Sequence, residues 1–186
     1  VSPHIRELNR RKDRAAVEAI DTSFETDIIF DVVTRERSIA LEERPLPHPI
    51  TKRYSIGEVF ASWASWQRGW VAEIDGVVRG FATVEYVPWH QRLVLWFLYI
   101  EPLFRRRGVG RALLSEVEQH GRNVGATQVW LETSNVNLPG VRAYERLGYA
   151  LCGVDLLYYG SYMPAESALY MTKSLAEQLD PIRTDR

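Results

Sequence analysis

At 186 residues, 46% hydrophobic and 25% charged with a formal net charge of -1, the chain is long enough to bury a core of its own and has no excess of positive charge with which to hold a polyanion. This balance argues against nucleic acid as a partner, and no apolar run approaches the ~20 residues that a membrane-crossing helix needs. A single cysteine, Cys152, excludes an internal disulfide framework, and the opening VSPHIRELNRRK lacks the apolar centre of a secretory leader, so a reducing, cytoplasmic setting is expected. One domain is expected over residues 1–175, followed by a polar tail at 176–186.

In chain order, Val17 and Ile20 share one helical face, which predicts a first helix from about Asp13 to Phe24. Pro45, Pro47 and Pro49 interrupt residues 37–54, favouring loop or extended strand ends. From Trp70 the pattern becomes strand-like: WVAEI, the Asp75-Gly76 hairpin signal, VVRGFATVEYV, a second turn at Pro88–Gln91, then Arg92 to Ile100. The run LVLWFLYI is apolar throughout, which predicts a central strand buried on both sides. Val109, Leu113 and Val117 recur at four-residue spacing in a helix that starts near Gly108 and stops before Gly125. A short strand, Gln128 to Thr133, is followed by a helix that Asn137 and Pro139 introduce and Gly148 ends. Strands at about Tyr149–Leu157 and Ser167–Lys173 complete an α+β chain.

The segment LYIEPLFRRRGVGRALL carries the strongest chemical signal. A buried strand leads through an Arg/Gly-rich loop into an amphipathic helix. Gly108 and Gly110 let an anion approach the backbone, free N–H groups at the helix start point at it, and Arg105, Arg106, Arg107 and Arg111 add charge-assisted donors. The loop has neither the Lys-Ser/Thr ending of a P-loop nor dinucleotide GxGxxG spacing. A basic helix entrance is also compatible with a plain solvated face.

RRRGVG matches the Arg-x-x-Gly-x-Gly motif of GNAT acetyltransferases in its strand-to-helix setting, and Asn137-L-P-G-V-R-A-Tyr144-E-R-L-Gly148-Tyr149 resembles a second, later pattern of that family. The resemblance implies a GNAT fold: a mixed, mostly antiparallel twisted sheet flanked by helices. It implies acetyl-CoA as cofactor, with Arg105, Arg106, Arg107, Gly108, Val109, Gly110 and Arg111 at the pyrophosphate and Leu98, Tyr99 and Ile100 along pantetheine. It further implies that Asn137 contacts the cofactor and that Tyr144 is the acid for the departing thiolate; taken alone, without the motif, Tyr144 reads better as a core aromatic of the helix. No metal is implied, and a homodimer is plausible on the family's habit.

AIDTSFETDIIFDV, WLETSNVN, YALCGVDLLYYG and ESALYM look like the streptothricin (nourseothricin) acetyltransferases, which acetylate an amine of a β-lysine moiety. This resemblance runs from about Ala19 to Lys173 and is weakest over Arg35–Trp70. It implies a small cationic amine as acceptor. Such an acceptor needs carboxylates near the thioester to attract the cation and take its proton. Asp21, Asp27, Glu132, Asp155 and Glu166 lie in the matching segments, and Glu132, ending a strand just before the Asn137 motif, ranks first as base or ammonium ligand. Each, by itself, also reads as a surface or capping carboxylate.

Relatives commonly carry an acid in the strand before the loop, where this chain has Leu95-Trp96-Phe97. Glu132 or a water is then expected to take the proton. Trp89, Trp96, Tyr158 and Tyr159 could offer ring faces to a cation, although core packing is the simpler expectation, and Cys152 is expected to be a buried structural thiol. Two other readings stay open: acetylation of another polyamine, amino acid or protein amine, and a non-catalytic acyl-CoA sensor.

Overall fold

The computed structural model describes residues 2–163 and 165–176; apart from Ala176, the expected polar tail lies outside them. The elements are β1 (His4–Glu7), α1 (Arg14–Glu18), β2 (Phe24–Arg35), β3 (Ser38–Lys52), β4 (Arg68–Ile74), β5 (Val77–Val87), β6 (Arg92–Ile100), α2 (Val109–Asn123), β7 (Gln128–Ser134), α3 (Leu138–Arg146), β8 (Ala150–Asp155) and β9 (Ala168–Ser174). Seven strands form one sheet in the order β1-β4-β5-β6-β7-β9-β8, while β2 and β3 form a separate two-stranded ribbon. All neighbours in the large sheet are antiparallel except β6 and β7, which are parallel and are joined through α2, the crossover that parallel strands require.

Local chemistry accounts for the meander. Asp75 and Gly76 both take positive φ, 52° and 73°, and link Ile74 to its partner Val77 as a two-residue turn whose twist suits the flanking strands. Leu113, Leu114 and Val117 of α2 are buried against Leu93, Leu95, Val129 and Leu131 in one core. A second core on the other face gathers Val17 of α1 with Val59, Trp66, Val71 and Phe81, and Trp96, Phe97 and Tyr99 of β6 pack onto it.

The N-terminal third departs from the sequence reading. The helix expected over 13–24 is one turn at Arg14–Glu18, and β2 begins at Phe24. The proline-rich stretch is a long strand in place of loop and strand ends. Its prolines are accommodated because the register jumps from Thr26↔Ile50 to Ile28↔Pro45, so Asp27 opposes residues 46–49 and Pro47 and Pro49 fall where no ladder N–H is required.

LVLWFLYI is the central strand, but it is not buried along its length. Leu93 and Leu95 are buried, whereas Trp96 to Ile100 are half-exposed, because pairing between β6 and β7 ends at Leu95↔Leu131. Beyond that point the strands part.

Candidate active site

The parting of β6 and β7 opens a seam in the middle of the sheet. Glu101 N–H donates to Arg79 C=O at 2.9 Å, so the facing pair Gly80–Ile100 is of the non-hydrogen-bonded kind, and the same alternation applies to Ala82–Leu98. The backbone groups of Leu98 and Ile100 therefore point into the seam, and those of Tyr99 point to β5. At the edge of the seam, Arg105 Nε donates to the Ile100 carbonyl at 2.9 Å, which ties the basic loop to the strand end.

That loop has the shape of an anion cradle. Arg106 and Gly108 take φ of 59° and 84° while Arg105 and Arg107 do not take positive φ, an alternation of sign within a turn that can gather successive N–H groups into a nest. Gly108 is the N-cap of α2 and no side chain caps the helix; its first intrahelical bond is Ala112 N–H to Gly108 C=O at 2.9 Å, which leaves the N–H groups of Val109, Gly110 and Arg111 unpaired within the helix. A Cβ at Gly108 would meet nothing within 4 Å, so glycine is needed there for φ and for a ligand's approach, not for internal packing. The Val109 side chain is buried in the core, while Arg106, Arg107 and Arg111 are exposed around the cradle. An anion with several phosphate oxygens fits this donor set.

At the far side of the seam, Glu132 is the first β7 residue past the last β6 pair. Tyr159, from the segment between β8 and β9, donates its hydroxyl to Glu132 Oε1. Desolvation raises the Glu132 pKa above the ordinary 4.5; the Tyr159 hydrogen bond opposes the rise, and the charge of Glu166 adds to it. Burial, and then the Glu132 charge, hold the Tyr144 phenol well above its usual pKa. Tyr54 and Tyr99 are pushed the same way, chiefly by burial and with Glu132 and Tyr144 among the causes. One carboxylate thus lies among four phenols that stay protonated. Tyr144 packs edge-on to Tyr149, with ring centroids 5.6 Å apart, so it is both a core aromatic and a member of this cluster.

The other sequence candidates divide between this cluster and the periphery. Glu166 is buried but already neutralised, by Lys52 of the ribbon, and it accepts from Ser134 Oγ at 2.6 Å. Asn137 caps α3: its Oδ1 accepts from Gly140 N–H at 3.1 Å and its Nδ2 donates to Thr133 Oγ1 at 3.0 Å. Asp21 pairs with Arg53 at 3.0 Å, and its pKa is held low by Ser23 donors first and by Arg53 and Arg105 after them. Asp27 is exposed in the ribbon bulge, and Asp155 ends β8 and accepts from Leu157 N–H at 2.9 Å. Trp89 and Tyr158 are 84% and 54% exposed, not core residues, and Cys152 is exposed where a buried thiol was expected. All three lie on connections or at an edge strand, where apolar character alone does not secure burial.

Three contributors escaped sequence reasoning. Lys52 and Tyr54 come from the ribbon end that was expected to be loop, and Asn135 organises the site. On the backbone, Asn135 C=O accepts from Phe30 N–H and its N–H donates to Ser167 C=O, both at 3.0 Å, while its side-chain amide donates to Phe30 C=O at 2.7 Å and accepts from Ser167 N–H at 2.9 Å. It fastens the ribbon to the sheet beside Glu132. The WLETSNVN segment contains it, but nothing local distinguishes it from Asn137.

Comparison with known proteins agrees with this geometry. The acetyltransferase (GNAT) family model matches residues 34–149. Streptothricin acetyltransferase of Streptomyces lavendulae is 39% identical over 171 residues, covering 88% of this chain and 90% of that protein. The crystal structure of nourseothricin acetyltransferase superposes with a TM-score of 0.84 at 35% identity, over 95% of this chain and 100% of that one. A Bacillus anthracis str. Ames structure in complex with acetyl coenzyme A shares the fold, with a TM-score of 0.78 at 23% identity over 94% of this chain and 99% of that one. With its split parallel seam, its uncapped basic helix entrance and these relatives, the chain belongs to the GNAT acetyltransferase family, enzymes that move an acetyl group from acetyl-CoA to an amine.

Proposed function

We propose that this acetyltransferase acts on a small polycationic amine of the streptothricin class, with Glu132 as proton acceptor and Tyr144 as hydrogen-bond donor to the departing sulfur. The observation that carries the reading is that, among the described residues, Glu132 is held by a neutral donor, Tyr159, and by no cation, and so keeps a negative charge for an ammonium, while the nearby Glu166 is satisfied by Lys52. The streptothricin acetyltransferase of Streptomyces lavendulae supports the choice of acceptor.

Acetyl-CoA supplies the activated acyl group as a thioester. The nest at Arg106–Gly108, the free N–H groups of Val109, Gly110 and Arg111, and the side chains of Arg105, Arg106, Arg107 and Arg111 are the residues that would hold its diphosphate. The seam-facing backbone of Leu98 and Ile100 would pair with its amide-bearing arm. Glu132, its pKa raised, attracts the acceptor ammonium and takes the proton that the attacking nitrogen gives up, because a raised pKa narrows the gap between carboxylate and ammonium. With its pKa above that of an ordinary thiol, Tyr144 stabilises developing thiolate by hydrogen bonding and keeps its own proton. Among the remaining acids, Asp27 and Asp155 would add negative charge for an approaching cation, Asp21 lies within electrostatic reach of Arg105, and Glu166 holds Lys52.

The test is release of free thiol from acetyl-CoA with an amine panel that includes streptothricin, simple polyamines, amino acids and a peptide amine. Turnover that is fastest with streptothricin supports the reading. Preference for a peptide amine, or cofactor binding without turnover of any amine, rejects it.

A further inference from the structure

Among the described residues, Glu132 is not the only carboxylate on its face of the sheet without a counter-cation. On β5, Val84 is buried toward the α2 core, so Glu85 points to the opposite face, as do Trp130 and Glu132 on β7, whose neighbours Val129 and Leu131 join that same core. Glu85 Oε2 accepts from the Trp96 indole N–H at 2.8 Å and from Ser65 Oγ at 2.9 Å, and among the described residues Glu85 forms no ion pair. Both donors are neutral, and among the described residues none donates to Oε1. Trp63, 57% exposed, packs on Trp96, the indole that donates to Glu85, with ring centroids 6.4 Å apart, and so extends the aromatic surface beside that donor with an exposed indole. Arg92, which shares this face, lies over the Trp130 ring at 5.1 Å from its centroid and does not pair with Glu85.

The register places this second anionic point relative to the first. Glu85 stands opposite Val94, and Val94 stands opposite Trp130, two residues before Glu132. Two strand spacings of ~4.8 Å and two residue rises of ~3.3 Å put the Cα atoms of Glu85 and Glu132 roughly 12 Å apart on one side of the sheet. Trp96, bulged out of β6 where the register shifts opposite Thr83/Val84, reaches toward Glu85 from the strand between the two carboxylates.

We propose that Glu85, framed by Trp63, Trp96 and Ser65, is a second cation subsite of the acceptor groove, which selects amines carrying another positive charge about 10 Å from the nitrogen that is acetylated. A carboxylate held by neutral donors keeps its full charge, and indole faces favour an ammonium or guanidinium over water. The inference rests on the acceptor face assigned above, with Glu132 at the reacting end. It makes Glu85 a specificity-determining residue that takes no part in the chemistry.

The experiment compares the full chain and Glu85→Gln with three acceptors: an α,ω-diamine whose nitrogens stand roughly 10 Å apart, a short diamine, and a monoamine of the same length as the long diamine. The expected result is a KM for the long diamine raised about fivefold to tenfold with kcat nearly unchanged, and no change for the monoamine or short diamine. An equal rise for all three acceptors, or no rise for any, overturns the subsite. Calorimetric titration of the same amines into both proteins, saturated with coenzyme A, gives the answer in binding alone. If no amine is acetylated, the acceptor assignment fails, while selective loss of long-diamine binding in Glu85→Gln still upholds the subsite and equal binding rejects it. Should Glu85→Gln fold poorly, Trp63→Ala on that aromatic surface carries the same comparison.

Discussion

At the scale of the residue, the chemistry depends on where charge is left uncompensated. Buried carboxylates ordinarily find a cation, as Glu166 finds Lys52, but Glu132 is held by a phenol, which stabilises its charge without cancelling it. Its pKa, raised above 4.5 by desolvation first, should, if Glu132 takes the proton as proposed, set the acid limb of the kcat profile above that of an ordinary glutamate, with activity falling as pH drops through it. Glu132→Gln should lower kcat about 100-fold and flatten that limb, as measured by thiol release across pH. Stability should move the other way. A group whose folded pKa is raised destabilises the fold once it ionises, so the variant should match or exceed the parent Tm at neutral pH. An unaltered acid limb in the variant would assign the limb to another group.

The same scale shows what the sequence could disclose. Glu132 was legible as a strand-end acid ahead of a recognisable motif, and the Arg/Gly loop was legible because positive φ and anion contact both demand glycine at a helix entrance. Lys52 was not, because its bond to Glu166 spans 114 residues of chain and nothing near Lys52 in sequence distinguishes it from a surface lysine. Tyr159 was noticed for its ring, and only tertiary placement turned its hydroxyl toward Glu132.

At the scale of the element, strands and helices with strong local codes came out as written: the Asp75-Gly76 hairpin, the four-residue apolar spacing of α2, and the Asn-x-Pro start of α3. The ribbon β2–β3 did not, because much of it is exposed; it lacks the regular alternation that marks a half-buried strand, and two of its prolines, Pro47 and Pro49, hide in a bulge. Glycine requirements are sharper in the structure than in the sequence. A Cβ on Gly140 would lie 2.7 Å from Asn137 Cγ, so Gly140→Ala should break the cap of α3 and cost about 1 kcal/mol or more by chemical denaturation. At Gly108 the fold tolerates a methyl group in space but not in φ. Gly108→Ala should therefore cost about 1 kcal/mol of stability and weaken coenzyme A binding by titration far more than a surface change. Unchanged affinity would place the diphosphate elsewhere.

At the scale of the whole molecule, the sheet is divided by its own seam. Strands β1, β4, β5 and β6 form one half and β7, β9 and β8 the other, and direct pairing between the halves covers only Arg92–Leu95 against Gln128–Leu131. A ligand in the seam contacts both halves, so coenzyme A should raise Tm by about 5–10 °C at a hundredfold excess over its Kd, read by differential scanning fluorimetry. Hydrogen exchange should slow at residues 96–100 and 132–134 before it slows elsewhere.

The ribbon keeps an unusual independence. Asn135 spends its main chain and its side chain on Phe30 of β2 and Ser167 before β9, and together with the Lys52–Glu166 and Arg142–Glu43 pairs and the apolar contacts of Phe30 it fastens the wall that overhangs the acceptor side without a strand ladder to the large sheet among the described residues. Most of the ribbon's outer surface can therefore drift in sequence without disturbing the catalytic floor, and a lineage could refit the enzyme to new amines by redrawing the overhang while these fastenings stay in place.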